Sequence, residues 1–137
     1  MNAVVPHHQK NGHEAVDLRT PKRLATVGGV LILISGIVNS LLGLRIGALV
    51  YDIYPGGRMG HVGILAGAIA IVIGLIIISV VVPIYKRETR GHIVLGGILT
   101  VVLGHLGAIA GAIYVGTVGV LLCYVAGVWV LLAARRI

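Results

Sequence analysis

The long apolar runs of this chain hold no aspartate, glutamate, lysine or arginine. Its four acidic residues, Glu14, Asp17, Asp52 and Glu88, all lie before or between those runs. That argues against a proton- or cation-coupled pump built on a membrane-embedded carboxylate, and leaves a passive pore open. Cys123 is the one cysteine, so an intramolecular disulfide and a cysteine metal cluster are both excluded. Phenylalanine is absent, and aromatic residues make up only 4% of the chain. Charge is scarce as well: 11% of residues are charged, against roughly 25% in a soluble domain. With 58% hydrophobic residues and a mean hydropathy of +1.05, the composition selects the membrane class and a single domain.

Glycine is what the chain has instead. Gly29, Gly36 and Gly43 stand seven apart in the first apolar run, and Gly60, Gly67 and Gly74 do the same in the second. Gly97, Gly104 and Gly111 repeat the spacing in the third. Seven residues are close to two helical turns, so each trio lines one stripe of its helix. A stripe without side chains lets another backbone approach, which is how helices pack in lipid. These nine glycines are therefore the expected packing positions. The small-residue pairs Gly43/Gly47, Gly63/Gly67 and Gly107/Gly111 add to the case.

The expected architecture is an all-α membrane protein, a four-helix antiparallel bundle with glycine-rich helix interfaces. Residues 1–19 form a polar tail, and residues 20–137 form the transmembrane domain. The tail has no apolar stretch before Leu24, so no secretory leader is expected. Its His7, His8 and His13 are weak candidates for a transition metal, set against a solvated tail with scattered histidines. Thr20 and Pro21 suit the N-cap and first position of helix one. The spans are 24–44, 62–82, 93–113 and 117–134. Twenty-one helical residues reach about 31 Å, enough to cross the hydrocarbon core. Pro55-Gly56-Gly57 marks the first loop as a turn, with Asp52 and Arg58 able to pair across it. Pro83 and Tyr85 mark the end of the second span. The short connector Lys86–Thr89 makes helices two and three antiparallel neighbours, with Thr89 as the next N-cap. Gly116 is placed in the last turn.

Nine of the eleven lysines and arginines fall on one side: in the tail, the 86–90 connector and the C-terminus. Arg45 and Arg58 alone fall on the other. Both termini are thus expected to be cytoplasmic, in the plasma membrane. A formal charge of +7 arranged around apolar runs points to anionic lipid rather than nucleic acid.

Residues 28–36, GGVLILISG, are matched at 96–104 by GGILTVVLG, a shift of 68. Two readings stand: a duplicated hairpin, or the likeness that any glycine-rich apolar helices share.

The candidate polar site inside the membrane comprises Asn39, Ser40, Thr100, His105 and Tyr124. His105 is the notable member, because an intramembrane ionisable residue is a functional candidate by default. It is either a neutral donor–acceptor joining helices or a proton relay or ligand. Asn39 and Tyr124 are candidate partners for it. A bis-histidine haem needs a second histidine at the same depth, and neither His61 nor His92 meets that condition. No cofactor is expected. Gly28-Gly29 and Gly96-Gly97 lack the context of a phosphate loop.

In outline the chain is similar to small multidrug transporters, whose membrane-embedded glutamate has no counterpart here. Claudin-like chains carry a cysteine pair in the first extracellular loop, and thiol-redox enzymes of the vitamin K reductase type carry CxxC. The lone Cys123 supplies neither. Three functions remain: a non-catalytic subunit or scaffold of a larger membrane assembly, an oligomeric passive channel, or an accessory redox subunit contributing His105. The expected partners are the bilayer and other membrane subunits, or further copies of the chain.

Overall fold

The computed structural model describes residues 17–53, 59–86, 89–110 and 115–136, and all of its regular structure is helical. The tail histidines His7, His8 and His13, Gly111, the surroundings of Gly60 and the Asp52–Arg58 pairing lie outside the described residues. Helix α1 is Arg19–Ile53 and helix α2 is Met59–Ile76, extended by a π-helical turn (Ile77–Val81) and a last turn (Val82–Ile84). Helix α3 is Arg90–Ile109 and helix α4 is Val115–Ala134. Four segments are long and apolar enough to cross a membrane: Arg19–Arg45, His61–Ile84, Arg90–Ile109 and Val115–Ala134.

The start of α1 differs from expectation. The Lys22 N–H already bonds the Leu18 carbonyl at 3.1 Å, and the Asp17 carboxylate accepts the Arg19 N–H at 2.9 Å. Asp17, rather than Thr20, therefore serves the free donors of the first turn. Pro21 still fits, because no N–H in that turn needs a helical partner. At 35 residues, or about 52 Å, α1 is longer than a bilayer core.

The second span runs through Pro83 instead of stopping there. A proline inside an α-helix removes one hydrogen bond and its ring presses on the preceding turn. The chain widens just ahead of it, with the Val82 N–H reaching back to the Ile77 carbonyl. Such π turns are one way a membrane helix accommodates proline. Ile77 and Val81 turn into the core there, both fully buried.

Helix α3 stops at Ile109, four residues short of the expected end, and Ala110 forms a turn. Gly116 belongs to α4 and is buried, rather than lying in the connecting turn. Thr89 is the N-cap of α3 by its backbone, but its hydroxyl bonds the His92 ring instead of a free N–H.

Helix α1 packs along both α2 and α4, and α3 packs along α4. Helices α2 and α3 also touch, but over much less surface than a tight hairpin would give. The reason is visible at the connector end, where the Tyr85 ring stands between them against Gly96. Two core clusters result. Ala25, Val82, Tyr85, Ile93 and Val130 gather near the connector, and Ile32, Ile73, Ile77, Val120 and Cys123 gather further along.

Candidate functional site

At several glycines a neighbouring helix approaches closely. A methyl group at Gly36 would stand 2.7 Å from the Gly67 carbonyl oxygen, and one at Gly74 would stand 2.7 Å from that of Gly29. Gly63 brings α2 to 3.1 Å from the Gly43 Cα on the same measure. At Gly36 and Gly74 a Cβ would force the backbones apart, and at Gly63 it would be a tight fit. The adjacent glycines Gly28 and Gly29 serve different neighbours. Gly28 faces Gly119 and Cys123 of α4, whereas Gly29 faces Ile77 and Ile78 of the second span. Gly96 and Gly97 divide likewise, towards Tyr85 and towards Leu131 and Gly127.

The five polar candidates fall into three places. Ser40 and Asn39 lie on α1 against α2, beside Gly67 and Gly63. Thr100 is fully buried and donates to the Gly96 carbonyl at 2.8 Å. The Tyr85 hydroxyl reaches the same carbonyl at 3.1 Å and also bonds the Thr100 hydroxyl. Two hydroxyl protons thus serve three contacts around one carbonyl. Desolvation raises the Tyr85 phenol above its ordinary value, with the Thr100 hydrogen bond opposing, so it stays protonated at neutral pH. From the sequence Tyr85 marks only the end of the second span. A single chain gives no signal that a glycine eleven residues later makes room for its ring.

The third place holds His105 and Tyr124. The His105 Nδ1 is 2.6 Å from the Tyr124 hydroxyl, and the two rings meet edge to face at 6.4 Å. Asn39 belongs to a different level. Gly107 packs on Ile32, seven residues or about 10 Å before Asn39 along α1. His105 is two residues from Gly107, so the depths of His105 and Asn39 differ by at least about 7 Å.

What distinguishes this pair is that it joins two helices at an exposed edge of the bundle. Thr26 and Ser79 turn their hydroxyls onto backbone carbonyls four residues back, at 2.9 and 2.6 Å. Among the described residues, no fully buried side-chain nitrogen or oxygen lacks a partner. His105, by contrast, is exposed on the outside of the bundle and Tyr124 is half-buried. Beside them lies a shallow groove of about 400 Å³, lined by Tyr124, Val125, Val128, Trp129 and Leu132. Among the described residues no cluster of three or more histidine, cysteine or acidic side chains is poised to hold a metal. Neither a family model, nor a curated protein, nor a solved structure matches the chain.

Proposed function

We propose that the chain is a non-catalytic integral subunit of a larger membrane assembly, presenting the outer face of α3 and α4 to its partner. The observation that carries this is the outward-facing His105–Tyr124 pair. A polar pair turned towards lipid is costly, and the cost is relieved when another protein surface covers it. The hydroxyls of Thr26, Ser79 and Thr100 are satisfied by the carbonyl four residues back in their own helices.

The bundle itself is antiparallel, glycine-lined and duplicated in this proposal. Gly29 meets Gly74 and Gly36 meets Gly67, so residue numbers fall on one helix as they rise on the other. That supports an antiparallel pair. Both termini lie on the cytoplasmic side of the plasma membrane, which the concentration of lysine and arginine there supports. Cysteines placed at Asn11 and Glu88 should then label from the cytoplasm, and one at Gly57 from outside. Labelling of position 57 from the cytoplasm would reverse the orientation.

The subunit role is tested by purifying the full chain from its native membrane in mild detergent and identifying what accompanies it. A stoichiometric membrane partner, foreign or a second copy, is the expected result. A chain that is monomeric and alone at native abundance sinks the proposal. A haem or flavin spectrum lost on His105→Gln would replace it with the redox-subunit role.

A further inference from the structure

We infer that the partner on the α3–α4 face is a second copy of this chain, joined through His105 and Tyr124 about a two-fold axis in the membrane. The inference rests on the subunit role above and names its partner.

The argument is one of donors and acceptors. His105 makes its described bond to Tyr124 through Nδ1, and its Nε2 has no bond among the described residues. A neutral imidazole carries one N–H and one bare nitrogen, and a phenol carries one O–H and an accepting oxygen. If Tyr124 donates to Nδ1, the pair is left with a donor at His105 Nε2 and an acceptor at the Tyr124 oxygen. If Nδ1–H donates to Tyr124, the pair is left with a donor at the Tyr124 hydroxyl and an acceptor at Nε2. Either way one donor and one acceptor remain, side by side and facing out. Such a pair is complementary to itself. Across a two-fold axis each copy donates once and accepts once, so both leftover valences of both copies are satisfied in one closed ring. An isologous interface requires this kind of self-matching patch. Lipid tails offer neither a donor nor an acceptor.

The surroundings suit the same occupant. Val102 and Leu106 of α3 and Val125 and Val128 of α4 are apolar and exposed around the pair. The face of α4 from Tyr124 to Leu132 is open and apolar, so a partner helix can lie along it. The equivalent face of the first hairpin provides a control. Removing the repeat offset of 68 from His105 leads to Ile37, and a matching offset of 53 takes Tyr124 back to Ile71. Ile37 is exposed and Ile71 half-buried, just as His105 and Tyr124 are, yet both are apolar. The lipid-facing version of this position thus exists in the same chain, and it has no polar group.

The test uses the full-length chain in phosphatidylcholine–phosphatidylglycerol vesicles. A cysteine at Val125→Cys is compared with one at Val72→Cys, its counterpart on the first hairpin. Both positions are exposed, whereas the native Cys123 is fully buried. A short bis-maleimide should join Val125→Cys chains in pairs and leave Val72→Cys chains single. In parallel, dimerisation is followed by energy transfer as lipid dilutes the protein. The double variant His105→Leu, Tyr124→Phe should weaken the dimer about tenfold, the size of two intramembrane hydrogen bonds. His105→Gln keeps a donor and an acceptor and should stay within about twofold of the original chain. Equal cross-linking at 72 and 125, or a Leu/Phe variant that dimerises as tightly as the original, overturns the inference. So does a chain that binds a foreign subunit stoichiometrically but never itself, and that result leaves the subunit role standing. A chain alone in both native membrane and vesicles overturns both.

Discussion

The α1–α2 contact and the α3–α4 contact are built from the same positions. A methyl at Gly29 would meet the Ile78 side chain at 3.1 Å, and one at Gly97 would meet Leu131 at 3.0 Å. Gly74 faces the Gly29 carbonyl and Leu33, and Gly127 faces the Gly97 carbonyl and Val101. Each pair maps onto the other by adding 68 on the first helix and 53 on the second. The correspondence then loosens. Gly36 meets the Gly67 carbonyl at 2.7 Å, whereas Gly104 meets the Val120 carbonyl at 3.8 Å and the Cys123 Cβ at 3.1 Å. Valine stands where the first hairpin has glycine, and the facing carbonyl lies further away at this rung. Glycines 29 and 74 of the first contact have glycines 97 and 127 as counterparts in the second. The replacements explain what the second hairpin has to itself: a wider rung filled by Cys123 and an outward His105–Tyr124 pair.

The largest expected effect breaks the comparison at that rung. Gly36→Ala places a methyl 2.7 Å from the Gly67 carbonyl and 2.8 Å from the Ile71 nitrogen, both main-chain atoms of α2 that cannot step aside. Overpacking of this kind costs about 1–3 kcal/mol. Gly104→Ala meets a side-chain carbon at 3.1 Å and nothing else closer than 3.8 Å, so its cost should be below about 1 kcal/mol. Thermal unfolding of both variants in the same lipid discs checks the order. If Gly104→Ala is the more damaging, the two rungs do not differ as described.

Next comes the contact that the two hairpins do not share. Tyr85 bridges to Gly96 and Thr100 at the connector end, and the α1–α4 contact has Gly28, Gly119 and Cys123 in its place. Tyr85→Phe keeps the ring on Gly96 and removes its hydroxyl. Thr100 retains its own bond to the Gly96 carbonyl, so no buried acceptor is orphaned. The expected loss is about 1 kcal/mol, in the range of single hydrogen bonds between membrane helices. An unchanged melting temperature for Tyr85→Phe would mean that the ring alone joins the second and third spans.

The existence of four spans was legible from the runs of uncharged residues. What was not legible has a common physical origin. A soluble helix advertises its inner face by being apolar there and polar elsewhere. Here Ile32 is fully buried and Ile34 is 42% exposed, with nothing in residue type to separate them. So the division of Gly28 from Gly29, or the outward direction of His105, could not be read from periodicity. The π turn before Pro83 escaped for another reason. Proline signals a break, and whether the helix stops or widens depends on the packing around it. The end of α3 was misplaced because the apolar run of the sequence continues beyond Ile109, so residue type gives no stop signal there.

A smaller effect sharpens the contrast between His105 and its counterpart Ile37. Within one chain His105 contributes one bond, to Tyr124, at the edge of the bundle. His105→Gln should therefore change the unfolding free energy of the isolated chain by about 1 kcal/mol or less. Ile37→Gln places the same amide at the matching position, where the counterpart of Tyr124 is the apolar Ile71. It should be the worse of the two, because an exposed amide among apolar side chains has only lipid around it. Equal losses would mean that the Tyr124 hydroxyl gives nothing to the residue at 105.

The smallest effect separates glycine as a packing device from glycine as a habit of this sequence. Gly91 lies in the first turn of α3, is exposed, and has no atom within 4 Å of where its Cβ would stand. The corresponding position of the first hairpin is Arg23, a full-sized side chain, so nothing in the shared frame demands glycine there. Alanine at this position meets no neighbour and is the better helix former, by up to about 1 kcal/mol in a helix interior and less near an end. Gly91→Ala should thus leave stability unchanged or raise it by about 0.5 kcal/mol at most. Set beside Gly36→Ala in the same lipid and by the same melting measurement, it asks whether the cost follows contact or composition. If Gly91→Ala loses as much as Gly36→Ala, the damage does not come from backbones held apart, and the rungs at Gly29, Gly36, Gly67 and Gly74 lose their role as the frame of the bundle.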